Sequence, residues 1–354
     1  KKYFQMSEEK IRVGISVGDV NGIGMEIIIK SLADNLINEI CTPIVYGSSK
    51  VASYHRKAIN MNDFNFNIVK SAEEAHHKKN NLISISDEEI KIDLGQPSNS
   101  SGSFAFQSLE AATQDLIDKK IDVLVTAPID KKTIQSKDFE FPGHTEYLAS
   151  KSGDKDEAVM LMIHDNIKVG VVTGHVPLKE VPKKINSDVV FKKIAAINRC
   201  LIQDFAIEKP KIAVLGLNPH AGDGGLLGTE EKDELERAIR EAKNSGMVVF
   251  GPYPADGFFS YDEYTKFDVI LAMYHDQGLI PFKLLAEGRG VNYTGNLSFI
   301  RTSPAHGTAY NIAGKGEADE TSFRNAIYAA CDAFKNRKNH LEAIANPLPV
   351  SKKE

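Results

Sequence analysis

Three histidines stand where a metal site could form. His175, His220 and His275 each come shortly after a run of apolar, β-branched residues that is typical of a buried strand. Because ligands of open parallel sheets bind just beyond the carboxyl ends of the strands, these imidazoles are expected at one edge of a sheet. Neutral imidazole binds zinc and similar divalent ions, and three protein ligands leave one position open for a substrate. The alternative for each histidine is a hydrogen-bonded structural role, since their spacing matches no local metal motif.

A second group of residues is suited to holding anions. His144 and Thr145 follow a Pro-Gly turn that is expected to open a helix, where backbone N–H groups attract negative charge. Lys283 follows a predicted turn at 276–281 and Arg301 follows an apolar pair, and such cations either clamp an anion or extend along the surface. Asn292 could add an amide contact, although Asn after Gly is equally typical of a turn. None of these residues identifies a ligand on its own.

Two glycine-rich segments could bring the backbone close to a cofactor. The first is Gly18–Glu26, and the second begins at His306, Gly307 and Thr308. None of the 26 glycines belongs to a G-x-G-x-x-G sequence, and no Walker A sequence occurs. A standard dinucleotide fingerprint and a P-loop kinase are therefore poorly supported. Each of the two segments, taken alone, is equally typical of a turn.

The elements that must position these residues alternate along the chain. Two helices are predicted at 187–203, behind a Ser cap, and at 229–244. Strands separated by helices predict an α/β fold with mostly parallel sheets covered on both faces. A chain of 354 residues exceeds the size of a single core, which predicts two lobes with a cleft between them. Strands are predicted at 12–17, 43–46, 82–85, 123–126, 168–172, 212–217, 248–250 and 268–273.

Composition excludes several classes of partner. The 43 basic and 48 acidic residues give a net charge of −5 without a long block of one sign, so no nucleic-acid partner is expected. No apolar run reaches about 18 residues, so no membrane span is expected. The three cysteines form no C-x-x-C pair, which argues against a disulfide framework or a thiolate zinc site and fits a cytoplasmic location. The Lys- and Glu-rich ends are expected to be solvated tails.

Taken together, several segments resemble the 4-hydroxythreonine-4-phosphate dehydrogenase family of pyridoxal phosphate biosynthesis. They occur in the family's order and cover nearly the whole chain. Three positions depart from the family's pattern: Val20-Asn21 replaces Pro-Ala, Gly257 replaces Thr, and Asn296-Leu297-Ser298 replaces Gly-Leu-Pro. The matching segments are 142–146 (PGHTE), 175–178 (HVPL), 217–222 (LNPHAG), 251–256 (GPYPAD), 273–278 (MYHDQG) and 299–303 (FIRTS).

The resemblance implies a fold and a role for particular residues. It implies two α/β lobes like those of the isocitrate and isopropylmalate dehydrogenases, with residues 1–127 and 296–354 on the cofactor side. Residues 128–295 would form the lobe for metal, substrate and dimer contacts. By resemblance, His175, His220 and His275 are metal ligands; His144, Thr145, Lys283, Asn292 and Arg301 hold the substrate; His306, Gly307 and Thr308 contact the cofactor; and Asp256 and Asp276 lie near the chemistry.

The resemblance also implies a reaction. The C3 hydroxyl of 4-phosphohydroxy-L-threonine would be oxidised by NAD or NADP, with decarboxylation to 3-amino-2-oxopropyl phosphate on the way to pyridoxal 5′-phosphate. A divalent ion (Zn, Mg, Co or Mn) would assist, and a homodimer would share each active site between its chains, with ligands from both. Three alternatives stay open: a dehydrogenase for erythronate or threonate 4-phosphate, a metal-dependent phosphohydrolase, and a ligand-binding protein without activity.

Overall fold

The chain is described by a computed structural model over residues 10–34, 36–86, 89–153, 158–260 and 262–345. Within these residues it forms two compact units. The first unit contains the described residues up to Leu148 together with Phe299–Cys331. The second contains those of Ala149–Ser298 and 332–345. The predicted solvated ends, 1–9 and 346–354, lie outside the described residues.

The first unit contains a sheet of parallel strands. These are β1 (Ile11–Ser16), β2 (Cys41–Gly47), β3 (Asn67–Val69), β4 (Asn81–Ser84), β5 (Val123–Thr126) and β12 (Ile300–Pro304). Their order is β3-β4-β2-β1-β5-β12. Strands β2, β5 and β12 are buried at every position, as expected for a parallel sheet with both faces covered.

Helices cover this sheet. They are α1 (Gly24–Ala33), α2 (Ile37–Ile40), α3 (Ser49–Ala58), α4 (Asn99–Ile117) and the first residues of α5 (His144–Ser152). Helix α4 packs on β1, β2 and β5. It begins after Ser98, whose Oγ accepts a hydrogen bond from the backbone N–H of Ser101 at 3.1 Å and so caps the helix.

The second unit has a mixed sheet. Its strands are β6 (Val159–His164), β7 (Ile167–Thr173), β8 (Lys211–Leu215), β9 (Val248–Tyr253), β10 (Val269–Tyr274) and β11 (Val291–Gly295). Strands β7, β10, β8 and β9 are parallel neighbours in that order, while β6 lies antiparallel between β11 and β7. Three strands of this unit therefore point the residues that follow them toward one edge, which is where the candidate metal ligands stand.

The helices of the second unit correct three sequence predictions. The cap of α7 is Asn186 and not Ser187, because the Asn186 side chain accepts from the N–H of Val189 at 3.0 Å. The predicted helix 229–244 is α-helical only in α8, since the preceding turn widens to a π-helix. Residues 276–281, predicted as a turn, belong to α10, which contains Pro281 in its interior. The helices are α6 (Val181–Lys184), α7 (Ser187–Asp204), α8 (Glu236–Asn244), α9 (Ala255–Ser260), α10 (His275–Ala286) and the later part of α11 (Thr321–Ala345).

The two units differ from the predicted lobes in three segments, the shortest of which is 296–298, which belongs to the second unit. Residues 128–148 belong to the first unit, where Tyr147 packs edge-on against an α4 phenylalanine. Residues 332–345 belong to the second unit, where Arg337 donates hydrogen bonds to the buried carboxylate of Asp204 at 2.6 and 2.8 Å. Partners this distant along the chain leave no local pattern, which is why the sequence prediction placed these two longer segments in the other lobe.

The predicted α/β class with mostly parallel sheets is confirmed by these two sheets. Cys41, Cys200 and Cys331 are buried free thiols, so they form no disulfide. Within the described ranges, no helix combines the length and apolar character needed to cross a membrane.

Candidate active site

The three candidate metal ligands follow three adjacent parallel strands. Strand β10 lies between β7 and β8, and the three run in the same direction. His175 comes two residues after β7, His275 directly after β10, and His220 in the loop after β8. The predicted placement beyond the carboxyl ends of neighbouring strands is therefore observed for all three.

His175 and His275 lie beside each other. Their ring centroids are 5.6 Å apart and their planes make an angle of 41°. The Nδ1 atom of His275 lies 2.7 Å from Oδ1 of Asp276. When the imidazole N–H donates to that carboxylate, the ring is held in the tautomer whose Nε2 lone pair can bind a metal ion.

His220 is exposed on a loop of unusual conformation. Its φ is +52°, and the following residues through Gly225 are also left-handed. Such a run is strained for residues with a side chain and requires support from its surroundings. Within the described part of the chain, no group of three or more His, Cys, Asp or Glu side chains is arranged to hold a metal ion.

Glu231 supports the His220 loop, a role that sequence reasoning missed. Its buried Oε1 accepts hydrogen bonds from the backbone N–H groups of Leu217 and Asn218 at 2.8 and 2.7 Å. Its Oε2 accepts from the side-chain amide of Asn218 at 3.0 Å. The carboxylate also lies against Gly222, where an added Cβ would stand 2.7 Å from Oε2. The sequence contains only an indirect indication of this role, because backbone N–H groups of a partly buried loop need acceptors and a nearby acidic side chain can supply one.

The two candidate catalytic carboxylates differ in their surroundings. Asp276 contacts His275 directly and its side chain is 71% exposed. Asp256 is exposed in the first turn of α9, a helix that packs against the loop Pro219–Gly225. Both therefore lie at the edge that carries the histidines, but only Asp276 touches one of them among the contacts described.

Arg301 is a buried cation in the first unit. The residue is only 2% exposed, on strand β12, and its guanidinium donates to Oγ1 of Thr126 at 2.7 and 3.2 Å. Burial lowers its pKa to about 10, with the nearby Glu146 carboxylate opposing that shift. Arg301 therefore stays positively charged at neutral pH, and a buried guanidinium is well suited to bind a carboxylate or phosphate.

His144 and Thr145 lie in the same unit, at the start of α5 as predicted. The Nε2 atom of His144 is buried and has no hydrogen-bond partner among the described residues. Burial lowers the pKa of His144 well below its ordinary value, and the positive charges of Arg301 and Lys131 lower it further. The imidazole is therefore neutral, and its unpartnered nitrogen is available to a ligand.

Lys283 and Asn292 belong to the second unit. Lys283 is exposed in the last turn of α10. Asn292 lies on β11, paired with Met162 of β6, and its Oδ1 is buried without a hydrogen-bond partner among the described residues. An orphaned buried amide oxygen requires an explanation, and a bound ligand with a donor group is one.

The two glycine-rich segments pack against each other in the first unit. The backbone N–H of Ile23 donates to the carbonyl oxygen of Thr308 at 3.0 Å, and an added Cβ on Gly22 would stand 2.8 Å from that oxygen. The Nδ1 atom of His306 lies 3.0 Å from the carbonyl oxygen of Gly307. Its Nε2 is buried and unpartnered within the described ranges, and burial lowers the pKa of this histidine. The predicted cofactor segment thus presents a neutral imidazole with one free position.

Asp19 anchors this region. The fully buried carboxylate accepts hydrogen bonds from the hydroxyls of Ser101 and Tyr310, each at 3.0 Å, and from the N–H of Asn21 at 2.9 Å. Burial raises its pKa. Asn21, which replaces a usual family Ala, donates to the carbonyl oxygen of Gln96 and accepts from the N–H of Asp93. This departure therefore adds contacts between two loops.

The chain is similar to known proteins along most of its length. A profile of the family described as pyridoxal phosphate biosynthetic protein PdxA matches residues 39–330. The 4-hydroxythreonine-4-phosphate dehydrogenase of Bacteroides thetaiotaomicron is 50% identical over 343 residues, which are 97% of this chain and 94% of the relative. A relative from Oceanobacillus iheyensis, provisionally named D-threonate 4-phosphate dehydrogenase, is 39% identical over 92% of this chain and 98% of its own.

A solved structure agrees with these matches. The crystal structure of a 4-hydroxythreonine-4-phosphate dehydrogenase from Burkholderia phymatum has a TM-score of 0.76 to this chain at 35% identity. The match covers 92% of this chain and 99% of that one. The family profile spans more than half of the chain, and the relatives are matched over nearly their full length. The chain therefore belongs to the pyridoxal phosphate biosynthetic protein PdxA family.

Proposed function

We propose that this protein is an NAD(P)-dependent, divalent-metal-assisted 4-hydroxythreonine-4-phosphate dehydrogenase. It oxidises the C3 hydroxyl of 4-phosphohydroxy-L-threonine and yields 3-amino-2-oxopropyl phosphate after loss of CO2, a step toward pyridoxal 5′-phosphate. The observation that carries the proposal is the pairing of His175 and His275 at adjacent strand ends, in a chain 50% identical to a dehydrogenase of that name.

The histidines at the strand ends are chemically suited to a divalent metal, and the second chain of the inferred homodimer would complete the site, because no three such side chains are arranged around an ion among the described residues of one chain. His175, His220 and His275 would hold the ion, because neutral imidazole is a good ligand for Zn and similar divalent ions. The ion supplies Lewis acidity at oxygen atoms of the substrate. Asp276 holds His275 in the tautomer that presents Nε2, and Glu231 holds the loop that carries His220.

The cofactor side fits a nicotinamide dinucleotide. His306, Gly307 and Thr308 would contact it, and the unpartnered Nε2 of His306 supports this assignment. The nicotinamide supplies a hydride acceptor. Because the pKa of His306 is lowered by burial, its ring is a neutral hydrogen-bonding group there and does not add a positive charge.

The chain's own cations and amides hold the substrate. In the first unit, Arg301 binds one anionic group by charge-assisted hydrogen bonds, and His144 and Thr145 add neutral contacts. In the second unit, Lys283 supplies an ammonium and Asn292 an amide. Fixing both the phosphate and the carboxylate orients the C3 carbon, and orientation of this kind is a large part of catalysis.

A second substrate is favoured by one specific observation. Gly257 replaces a Thr that is usual after Asp256, and an added Cβ there would meet no atom within 4 Å. A family member with Thr at this position would therefore have a hydroxyl where this chain has open space. Threonate or erythronate 4-phosphate is accordingly the runner-up, and the name of the Oceanobacillus relative supports it. The phosphohydrolase alternative has no comparable support, because both relatives are named dehydrogenases.

We also infer a cytoplasmic homodimer with a shared active site. Exposed apolar side chains follow each candidate ligand along the chain: Leu178 after His175, Leu226 after His220 and Leu284 after His275. Leu226 is 82% exposed and Leu284 is 74% exposed. Exposed leucines are typical of an interaction surface, and their occurrence after each candidate ligand in the sequence supports an interface in this part of the second unit.

A substrate panel tests the proposed reaction. The enzyme is incubated with NAD or NADP and with 4-phosphohydroxy-L-threonine, D-threonate 4-phosphate or D-erythronate 4-phosphate, and reduced cofactor is followed by absorbance. The amino acid phosphate is expected to give the highest kcat/KM. A higher value for either of the other acids would transfer the assignment to that substrate, and release of inorganic phosphate without cofactor reduction would support the hydrolase.

A further inference from the structure

A single amide side chain joins two strand ends at the metal edge. Gln277 is half-buried in the first turn of α10. Its Oε1 accepts a hydrogen bond from the backbone N–H of Met273 at 2.7 Å. Its Nε2 donates to the carbonyl oxygen of Gly216 at 2.6 Å. Met273 lies in β10 and Gly216 directly follows β8, so the amide uses its donor and its acceptor on different strands.

This bridge stands where the strand ladder has ended. The backbone pairing of β10 with β8 runs from Val269 with Ile212 to Leu271 with Val214. The bridge connects positions two residues further along each strand. The side chain of Gln277, and not the backbone pairing of the two strands, therefore joins β8 and β10 just before the residues that lead to His220 and His275.

Further hydrogen bonds extend the bridge to the neighbouring strands. The hydroxyl of Thr173, the last residue of β7, donates to the carbonyl oxygen of Met273 at 2.8 Å. The N–H of Gly216 donates to the carbonyl oxygen of Tyr253, the last residue of β9, at 2.8 Å. The ends of all four parallel strands are thus linked through Met273 and Gly216, and Gln277 is the central link.

We propose that Gln277 is a positioning residue of the metal site, whose amide holds in place the two strand ends that carry His220 and His275. The inference rests on the proposed function, in which these histidines bind a divalent ion. Ligand positions must be held to within a fraction of an ångström for tight metal binding, and residues that orient ligands commonly affect affinity by about 10- to 100-fold. Gln277 touches neither the ion nor the substrate in this role.

Two variants separate this role from general stability. Gln277→Met keeps the length of the side chain and a good helix former while removing both hydrogen bonds. Gln277→Glu keeps the acceptor for the N–H of Met273 but replaces the donor to Gly216 with a negatively charged oxygen, which the carbonyl oxygen of Gly216 repels. The matched control is Gln203→Met, also half-buried, at the end of α7 that precedes β8. Thermal unfolding of each metal-free protein shows whether it is folded.

The readout is binding of Co²⁺ alone to the intact protein, by titration and by visible absorption. Both Gln277 variants are expected to weaken Co²⁺ binding by about 10-fold or more and to change the ligand-field bands, while Gln203→Met matches the wild type. If Gln277→Met does not fold, Gln277→Glu decides the matter. If the folded variants bind Co²⁺ with the affinity and spectrum of the wild type, the role of Gln277 is rejected and the proposed metal site is not. A wild-type protein that binds no Co²⁺ overturns the proposed metal role as well.

Discussion

The imidazole rings of His175 and His275 lie 5.6 Å apart between centroids, although the two residues are far apart along the chain. The parallel pairing of β7 with β10 produces this contact, because Thr173 is in register with Tyr274 and each histidine follows shortly after. Two imidazoles at this distance, one of them oriented by Asp276, are the strongest structural support for a divalent ion at this edge.

Removing a candidate ligand is expected to release the metal. His175→Ala, His220→Ala and His275→Ala should each weaken divalent-metal binding by about 10-fold or more and abolish turnover, because each removes one donor atom. Calorimetric titration of metal-free protein measures the effect. His164→Ala, at the end of the neighbouring strand β6, is the control and should bind metal as the wild type does. Full metal occupancy in all three ligand variants would reject the site.

The proposed anion-binding role of Lys283 predicts that removing its ammonium group lowers kcat/KM. A charge-assisted hydrogen bond to phosphate contributes about 1.5 to 3 kcal/mol, so Lys283→Ala should lower kcat/KM by about 10-fold or more. Lys283 is exposed, and its removal should leave the melting temperature nearly unchanged. Lys243→Ala, equally exposed at the end of α8, is the control. An unchanged kcat/KM in Lys283→Ala would remove this residue from the substrate site.

Because Glu231 supports the His220 loop, replacing two glycines of this loop by Ala is expected to destabilise the protein by different amounts. Gly222 and Gly224 both have positive φ, so an Ala at either costs about 1 to 2 kcal/mol of stability. Only Gly222 lies against Glu231, while an added Cβ on Gly224 meets nothing within 4 Å. Gly222→Ala should therefore lower the free energy of unfolding more than Gly224→Ala in urea denaturation. Equal losses would mean that the contact with Glu231 is relieved without cost.

The neutral state of His144 predicts a dependence of stability on pH. Its pKa is well below the unfolded value of about 6.5, so below that pH the unfolded chain binds a proton that the folded chain does not. The contribution of His144 to the free energy of unfolding is present above about pH 6.5. It is lost as the pH falls below that value, by up to about 1.4 kcal/mol per pH unit. His55 and His306 also have lowered pKa values, so only a comparison isolates His144.

His144→Gln provides that comparison. Urea denaturation between about pH 7.5 and about pH 5.5 should show a smaller loss of stability on acidification in this variant than in the wild type. The exposed His77→Gln changes the number of histidines equally and should keep the wild-type slope. If the free energy of unfolding depends on pH identically in all three proteins, the folded protein protonates His144 in this pH range as readily as the unfolded chain does.

Much of this fold could be predicted from apolar runs. β5 was predicted with its observed bounds, and β7, β8 and β10 were predicted within two residues, because buried parallel strands are continuously apolar. Strands β11 and β12 were missed because polar residues such as Asn292 and Arg301 interrupt them. Those two residues are themselves candidate substrate contacts. Prediction of strands from apolar runs therefore failed where the substrate site requires polar side chains within a strand.

The site was predictable by residue type more than by contact. The strand-end histidines followed from the rule that ligands bind beyond the carboxyl ends of parallel strands. Glu231 and Gln277 could not be found in this way, because both act through hydrogen bonds to backbone atoms that lie far from them in the chain. Asn296 illustrates a departure that the backbone explains: its φ is +59°, a conformation suited to the usual Gly and tolerated by Asn.

The proposed shared active site can be tested by mixing two inactive variants. If His220 and His275 reach a given metal ion from different chains, a mixed dimer of His220→Ala with His275→Ala has one site with both ligands missing and one intact site. Random re-pairing makes half of the dimers mixed, and each has one good site of two, so recovery should approach roughly a quarter of wild-type activity. Leu226 and Leu284, exposed leucines that follow these two ligands in the sequence, are expected to contact the partner chain.

Subunit exchange must be verified separately for this test. Differently tagged variants are mixed, incubated and isolated by tandem affinity, and the activity and metal content of the mixed dimer are compared with those of each parent. A mixed dimer with about half of the wild-type activity and one equivalent of tightly bound metal is expected, because only one of its two sites is intact. A verified mixed dimer without activity would show that His220 and His275 serve the same ion from one chain, since every site would then lack one ligand.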